Sequence, residues 1–255
     1  APMRWIAHKF GGSSVANAAR YQAVARLMVG RPDEAQVVVV SAMQGVTDAL
    51  IGLTRSAAAK DSRWPADVTA LKQRHIDTAA ELLGAQAGAF ITALDASFSD
   101  LSHLLRGVEL LGTAPIEVVE LVSGLGEVWS AQMLTAHFRA LGHSAEFLDA
   151  REVLRVTLTE LHVAVEWLPS EKRLAQFRHA HPAQRYVVTG FIARRLSDER
   201  ITTLGRNGSD YSASIFGALF DAAEIHIWTD VDGVLSADPR RVPEAMVLDH
   251  VSYEE

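Results

Sequence analysis

The chain has 255 residues, of which 49% are hydrophobic and 22% charged, a composition that fits one large or two small globular domains and excludes a mainly disordered chain. Its 24 basic and 31 acidic residues give a formal net charge of −7, which argues against a general nucleic-acid binder. The sequence contains no cysteine, so disulfides, thiolate metal sites and cysteine nucleophiles are excluded.

The sequence contains no apolar stretch of the ~20 residues that a membrane span requires. Its most apolar run is four valines at 37–40, and the N-terminal residues APMRWI lack the long apolar region of a secretory signal. We therefore expect a cytoplasmic protein with neither a membrane nor a nucleic acid as a partner.

Short apolar runs alternate along the chain with longer segments of helical composition. The runs are rich in Val, Ile and Thr, and most are continuously apolar, which is typical of parallel strands covered on both faces. We predict strands at 4–9, 36–42, 144–148, 185–189, 200–204 and 224–229, and helices at 16–29, 46–60, 67–83, 87–106, 117–141, 171–180 and 209–220. This alternation predicts an α/β fold, with residues 46–122 as a nearly all-helical insertion between two parts of the sheet. The polar residues 197–199 form either a boundary between lobes or a hairpin tip, and the flanking apolar strands favour the hairpin.

The first chemically informative segment has the sequence KFGGSSVA at 9–16 and connects the first strand with the first helix. Gly11 and Gly12 allow a tight turn with exposed N–H groups, and a helix start adds a positive dipole end. With the Lys9 ammonium group, these donors would form a phosphate cradle, although the spacing is not that of a Walker A loop. The alternative is an ordinary strand–turn–helix with Ser14 as the N-cap.

A second segment, VSGLGE at 122–127, contains two glycines that leave room for a ligand. Glu127 could hold an ammonium group in such a site. The alternative is an ordinary acidic residue in a first helical turn, where it interacts favourably with the helix dipole.

A third segment, TLGRNGSDYS at 203–212, again passes from a strand through a glycine-containing loop into a helix. Arg206 offers a planar fork suited to a carboxylate or phosphate, and Gly208 and Ser209 supply backbone donors. Asp210 falls in the first helical turn, where a purely structural acid would contribute about 0.3–1 kcal/mol.

The last segment, IWTDVDGVLSADPR at 227–240, contains three aspartates after a strand. It lacks the later glutamate of a calcium loop, and an acidic turn rich in Asp, Gly and Pro is the alternative to a ligand site. In an open α/β sheet such strand-to-helix loops gather at the carboxyl edge of the strands, where ligands bind. Taken together, the loops indicate a site for phosphate and carboxylate groups.

These segments resemble the signature segments of the aspartokinases, which belong to the amino acid kinase family. The resemblance rests on residues 9–16, 205–210, 228–234 and 238–255, with shorter agreements at 41–42, 46–48 and 189–192. The matching segments span essentially the whole chain and occur in the same order as in the family. It implies the amino-acid-kinase fold, a mainly parallel central sheet with helices on both faces. It also implies ATP-dependent phosphorylation of the side-chain carboxylate of L-aspartate to 4-phospho-L-aspartate, the first step toward lysine, threonine and methionine.

The resemblance implies a role for each matching residue. Lys9 and Asp210 would be catalytic, with Asp210 orienting Lys9, and Mg²⁺ would arrive bound to ATP rather than in an all-protein cage. The residues implied to contact ATP are Lys9, Gly11, Gly12, Ser13, Thr229, Asp230 and Arg240. The residues implied to hold the amino acid are Ser41, Thr47, Glu127, Arg206, Gly208 and Ser209. Among the latter, Arg206 would clamp a carboxylate and Glu127 would bind the ammonium group.

The resemblance also predicts how the chain is divided. Residues 1–196 would form the amino-acid-binding lobe and residues 197–255 the start of the nucleotide-binding lobe. In the family this lobe continues past residue 255 to another nucleotide-side lysine and then to regulatory ACT domains. The resemblance implies a homodimer, and it leaves open a parent chain fused to homoserine dehydrogenase or to diaminopimelate decarboxylase.

One departure and two alternatives accompany this interpretation. Leu235 stands where the family commonly has a tyrosine, so an aliphatic contact to the nucleotide would replace an aromatic one. Kinases of the same fold act on acetylglutamate, glutamate, carbamate or UMP, but Arg206 and Glu127 favour aspartate because together they bind both charges of a free amino acid. The other alternative is a kinase-like module that binds ATP or aspartate without turnover.

Overall fold

The computed structural model describes residues 3–229 and 245–248, and these residues form two sheets with helices packed around them. The strands are β1 (Arg4–Phe10), β2 (Glu34–Val40), β3 (Glu146–Leu148), β4 (Arg155–Leu158), β5 (Val163–Val165), β6 (Arg185–Thr189), β7 (Ile192–Arg195), β8 (Ile201–Thr203), β9 (Glu224–Trp228) and β10 (Ala245–Leu248). The helices are α1 (Ala18–Val29), α2 (Val46–Ala58), α3 (Trp64–Leu83), α4 (Gly88–Leu111), α5 (Ile116–Ser123), α6 (Leu125–Ala140), α7 (Ala150–Val153), α8 (Trp167–Ala180) and α9 (Gly208–Leu219).

The central sheet has the strand order β10-β9-β1-β2-β6-β3, and all its neighbouring strands are parallel except β10, which runs antiparallel to β9. Phe10 pairs with both Val40 and Trp228, and Val40 pairs with Thr189. The last residues of four parallel strands are therefore level with one another. The loops that follow them leave the sheet at one edge.

Both faces of this sheet are buried, because β2 has apolar residues at successive positions. Val38 and Val40 pack into a core with α1, α2, α3, α4 and α6, whereas Val37 and Val39 pack into a second core with α7, α8 and α9. The predicted α/β class, with a mainly parallel sheet covered on both faces, is confirmed. The segment 46–122 is helical, as predicted, and comprises α2 to α5.

Two sequence predictions about elements, one of a helix and one of a strand, are wrong in detail. The single helix predicted at 117–141 is two helices that meet at Gly124, where a Cβ atom would lie 2.3 Å from Cγ2 of Ile192. The close approach of Ile192 thus requires a glycine at the point where the two helices meet, which helical periodicity does not signal. The strand predicted at 36–42 begins and ends two residues earlier, which leaves Ser41 in the loop after β2.

The strand predicted at 200–204 is β8, but it belongs to a second sheet of order β5-β4-β7-β8. The sequence pattern does not indicate β4, β5 or β7, because each is short and carries polar or half-exposed residues that mask the apolar pattern. β7 and β8 are antiparallel, so the turn at 197–199 is the tip of a hairpin. The division into lobes at residue 196 stays a prediction.

A buried polar chain connects three strands of the central sheet. Trp228 Nε1 donates to His8 Nδ1 at 3.0 Å, and the opposite ring nitrogen of His8 lies 2.8 Å from Glu34 Oε1. Because Nδ1 accepts, Nε2 carries the proton and donates it to Glu34. Burial lowers the pKa of His8, which agrees with a neutral imidazole that ties β1 to β2 and β9.

Among the described helices, none combines the length and the apolar composition that crossing a bilayer demands.

The contact at Gly124 supports a stability prediction. Gly124→Ala should lower the free energy of unfolding by about 1–3 kcal/mol, because the new methyl group overlaps Ile192 between α5, α6 and β7. Gly52→Ala in α2 is the matched control, since its Cβ would meet nothing within 4 Å and alanine is the better helix former. Urea unfolding would measure both variants, and a Gly124→Ala protein as stable as Gly52→Ala would contradict the prediction.

Candidate active site

A cleft of about 410 Å³ opens at the carboxyl edge of the central sheet. Its walls come from the ends of β1, β2 and β6, from the starts of α2 and α6, and from the loop between β8 and α9. Nine of the predicted site residues line it: Lys9, Gly11, Gly12, Ser41, Thr47, Glu127, Gly208, Ser209 and Asp210. The structure thus brings together most of the residues that the sequence had singled out at separate positions.

Lys9 enters the cleft from the end of β1. Side chains alternate along a strand, and Ala7, two residues earlier, packs into the core that contains α9. Lys9 therefore faces α9, where its Nζ lies 2.8 Å from Oδ1 of Asp210 in the first helical turn. The Lys9 side chain is only 14% exposed, so this ion pair fixes the ammonium group at the cleft wall.

The glycines beside Lys9 are required by close packing. A Cβ on Gly11 would lie 3.2 Å from Lys9 Nζ, and one on Gly12 would lie 3.2 Å from the carbonyl oxygen of Ala42. The loop after β1 therefore touches the loop after β2. Larger residues would displace either the ammonium group or one of these loops.

The helix after this loop begins differently from the prediction. Residues Gly12–Val15 form a 3-10 turn, and α1 starts only after Asn17, whose side chain accepts a hydrogen bond from the Arg20 N–H. The N-cap is Asn17 and not Ser14, which the alternative interpretation had proposed, and α1 starts several residues beyond Gly11 and Gly12. Any phosphate contact in this loop would rest on its own N–H groups and Lys9.

The start of α9, unlike that of α1, reaches the cleft. Asn207 precedes it in the left-handed conformation, with φ of 58°, and Gly208 packs so closely that a Cβ would lie 2.8 Å from Cδ1 of Phe191. Ser209 receives a hydrogen bond from Ser41 Oγ at 3.0 Å. This contact joins the loop after β2 to the positive end of α9, which is suited to an anion.

Glu127 is the buried acid of the cleft. It lies in the first turn of α6 and is 3% exposed, and its Oε2 has no hydrogen-bond partner. Burial raises the pKa of Glu127 to about 8, although backbone N–H groups of Ala42 and Glu127 itself favour the charged form. A buried carboxyl group with a free oxygen at a cleft wall is suited to a cationic ligand group, which would restore its charge.

The remaining predicted residues lie elsewhere or are not described. Ser13 is exposed, and Arg206 is exposed between Gly205 and Asn207, which both line the cleft. Thr229 is exposed directly after β9. It lies at the same edge of the sheet as Gly11, which directly follows β1. Asp230, Leu235 and Arg240 fall outside the described residues.

The cleft also contains residues to which the sequence analysis gave no role. Phe191, which has φ of 75°, comes from the turn after β6, and Asn207 precedes α9. Met43, Gln44 and Asp48 come from the loop after β2 and the start of α2. Only their position in the sequence could have identified them. Each lies a few residues after the carboxyl end of a parallel strand, or in a loop that reaches the cleft.

Within residues 3–229 and 245–248, no group of three or more His, Asp or Glu side chains is arranged to hold a metal ion. The entry of Mg²⁺ together with ATP stays a prediction.

Comparison with protein families gives a match across nearly the whole chain. A model of the amino acid kinase family matches residues 4–255. Among curated relatives, the chain is 41% identical over 254 residues to the bifunctional aspartokinase/homoserine dehydrogenase 1 of Zea mays, 39% identical over 250 residues to the bifunctional aspartokinase/homoserine dehydrogenase 2 of Escherichia coli, and 33% identical over 255 residues to aspartokinase 3 of Arabidopsis thaliana.

These alignments cover 97–98% of this chain but 27%, 30% and 44% of the respective relatives. The chain thus spans less than half the length of the curated relatives that it matches. Among solved structures, E. coli aspartokinase III in complex with aspartate and ADP matches with a TM-score of 0.77 and 23% identity, over 88% of this chain and 49% of that one. This likeness shows a shared fold.

The burial of Glu127 supports a prediction about stability and pH. Its folded-state pKa of about 8 lies above the ordinary value of 4.5, so the folded protein binds an extra proton between these values and loses stability as the pH rises through them. Relative to Glu127→Gln, the wild type should lose roughly 3–5 kcal/mol of unfolding free energy between pH 5 and pH 9. Urea unfolding at several pH values would measure this difference.

Glu81→Gln is the control, because Glu81 is an exposed acid on α3. It should follow the wild type at every pH. Parallel pH profiles of the wild type and Glu127→Gln would show that Glu127 ionises as it does in water.

Proposed function

Because the chain belongs to the amino acid kinase family, we propose that it is an aspartate kinase, which transfers the γ-phosphoryl group of ATP to the side-chain carboxylate of L-aspartate. The products are 4-phospho-L-aspartate and ADP. The observation that carries the proposal is the pairing, in one cleft, of a lysine–glycine loop suited to phosphates with the buried carboxyl group of Glu127, whose Oε2 has no hydrogen-bond partner and is suited to an amino acid's ammonium group.

The chemistry needs little from the protein beyond positioning. The side-chain carboxylate of aspartate has a reference pKa of ~4 and is ionised at neutral pH, so no general base is required. One of its oxygens attacks the γ-phosphorus and forms a new O–P bond. The bond from the γ-phosphorus to the bridging oxygen breaks, and its electron pair leaves with ADP. The cleft therefore has to hold the two reactants in line and to offset their negative charge.

Charge is the main obstacle, because an anion must approach a polyanion. Among the described lining residues, Lys9 is the cation, while Asp48, Glu127 and Asp210 are acids. Lys9 would contact the transferring phosphates, with the N–H groups of Gly11 and Gly12 beside it, and Asp210 would hold its ammonium group in place. Mg²⁺ bound to ATP would supply further positive charge.

Arg206 would supply the missing positive charge on the acceptor side. Its two neighbours in sequence, Gly205 and Asn207, already line the cleft, so side-chain rotation of an exposed arginine would bring the guanidinium inward. There it would form a bidentate pair with a substrate carboxylate. Ser41, Thr47 and Ser209 would complete the acceptor side with hydroxyl groups. Gly208 would let the start of α9 pack close to Phe191 at the cleft.

The names of the relatives support this assignment, since those reported above are aspartokinases or contain an aspartokinase part. The complex of E. coli aspartokinase III with aspartate and ADP supports ATP as the donor. We extend the proposal to a homodimer in the pathway toward lysine, threonine and methionine. The predicted cytoplasmic location remains open, because the Zea mays and Arabidopsis relatives are chloroplastic.

The proposal is tested by ADP release in a coupled assay with a panel of acceptors. We expect ADP release that depends on L-aspartate and is absent with acetylglutamate, carbamate or UMP, because Glu127 and Arg206 would bind both charges of a free amino acid. Turnover with another acceptor alone would identify a sibling kinase. Binding of ATP and aspartate without turnover would identify a binding module.

Lys9→Ala is the catalytic control for this assay. It should lower kcat far more than it raises KM for aspartate, because Lys9 acts on the transferring phosphates. Lys172→Ala, which removes an exposed lysine of α8, should behave like the wild type.

Arg206→Ala tests the acceptor side separately. It should raise KM for aspartate by about 10- to 100-fold, since it removes a charge-assisted pair worth roughly 1.5–3 kcal/mol. Arg26→Ala, at an exposed position of α1, is the matched control. An unchanged KM for aspartate in Arg206→Ala would exclude Arg206 from the acceptor site.

A further inference from the structure

Arg74 on α3 binds two loops of the cleft at once. Its Nη1 donates to the carbonyl oxygen of Gln44 at 2.9 Å, and its Nη2 donates to the carbonyl oxygen of Ala16 at 3.1 Å. Gln44 belongs to the loop after β2 and lines the cleft. Ala16 ends the 3-10 turn that follows the glycine pair after β1. One guanidinium group therefore connects the loop after β1 with the loop after β2, which form opposite walls of the cleft.

The same two loops touch directly at a second place. A Cβ on Gly12 would lie 3.2 Å from the Ala42 carbonyl oxygen and 3.4 Å from Cα of Gln44. Direct contact limits how closely the loops can approach, and the Arg74 bridge limits how far they can separate. Together the two contacts set the spacing between the loops.

The bridge is anchored in a well-packed helix. α3 contacts α1, α2, α4 and α6, and the carbonyl oxygen of Arg74 accepts a hydrogen bond from Thr78 Oγ1 at 2.8 Å. The next residue, His75, is fully buried against Trp129, with ring centroids 5.0 Å apart. The guanidinium thus projects from a fixed backbone, so its two hydrogen bonds hold the loops relative to the core.

Arginine is the side chain suited to this task. Its planar guanidinium presents several donors in a fixed fork, whereas a lysine ammonium is a point charge on a flexible stem. Two carbonyl oxygens on separate loops can be held at a defined spacing by the fork. A lysine would hold one of them at a time.

We propose that Arg74 is a positioning residue that sets the distance between the phosphate side of the cleft, at Gly11 and Gly12, and the acceptor side, between Ser41 and Thr47. The assignment of these two sides rests on the proposed function. Arg74 does not line the cleft and acts through the loops. Phosphoryl transfer depends on in-line placement, and a displacement of about 1 Å can cost 10²-fold in rate.

The test compares Arg74→Gln and Arg74→Lys with the wild type in the full chain. Arg74→Gln should lower kcat for aspartate-dependent ADP release by about 10- to 100-fold while changing each KM by less than about threefold, and Arg74→Lys should lie between it and the wild type. Lys72→Gln removes one positive charge from the same helix, where Lys72 pairs with Asp95. This control should keep the wild-type kcat.

A second readout does not depend on activity. The Ser14 N–H donates to Gly11 and the Val46 N–H donates to Met43, one amide in each loop. In Arg74→Gln, hydrogen exchange at both amides should accelerate while amides in the middle of α4 exchange at the wild-type rate. Equal acceleration everywhere would indicate general destabilisation and would overturn the proposal.

The two readouts separate failure of this inference from failure of the proposed function. A wild type without aspartate-dependent turnover would refute the function, and Arg74 would then be judged by hydrogen exchange alone. A wild type that is active, with an Arg74→Gln variant of unchanged kcat and unchanged exchange, would refute the role of Arg74.

Discussion

The alignment of strand ends in the central sheet is the constraint on which the cleft depends. β9, β1, β2 and β6 are parallel and end at paired residues, so the chain leaves the sheet four times at one edge. A shift of one residue in the register of β1 would turn each of its side chains to the opposite face of the sheet. Lys9 would then face the helices of the other core rather than Asp210. Apolar packing on both faces sets the register of the sheet. The same register fixes where the polar residues at the strand ends lie, and it thereby forms the site.

Glycines in the loops at this edge of the sheet are needed for two different reasons. Gly45 and Gly205 have φ of 82° and 77° and open space around them, so they are needed for a backbone turn. Gly12, Gly190 and Gly208 have ordinary φ values but lie within 2.8–3.2 Å of a neighbouring atom at the Cβ position. They are needed because loops pack against one another. The first kind shapes each loop, and the second allows the loops to form one cleft.

The sequence predicts those parts that depend on local pattern. Apolar runs locate the strands of the parallel sheet, and the loops with lysine, glycine and serine locate most of the lining residues, while the family prediction is confirmed by the match over residues 4–255. Contacts between distant segments are not visible in this way. The need for glycine at position 124 comes from Ile192, the burial of Glu127 depends on α6 packing onto the loop after β2, and Arg74 lies in an ordinary helical sequence. The second sheet escapes prediction because its strands are short and half exposed.

Glu127 also links the protein's durability to its ligands. A buried acid that ionises reluctantly makes the empty protein less stable, and a cation bound beside it raises the free energy of unfolding by an amount that grows with the logarithm of its concentration. Proteases act on transiently unfolded molecules, so an empty cleft shortens the lifetime of the chain and a filled one lengthens it. In a cell, the amount of this protein would therefore rise with the supply of any cationic ligand that occupies the cleft beside Glu127, without any change in synthesis.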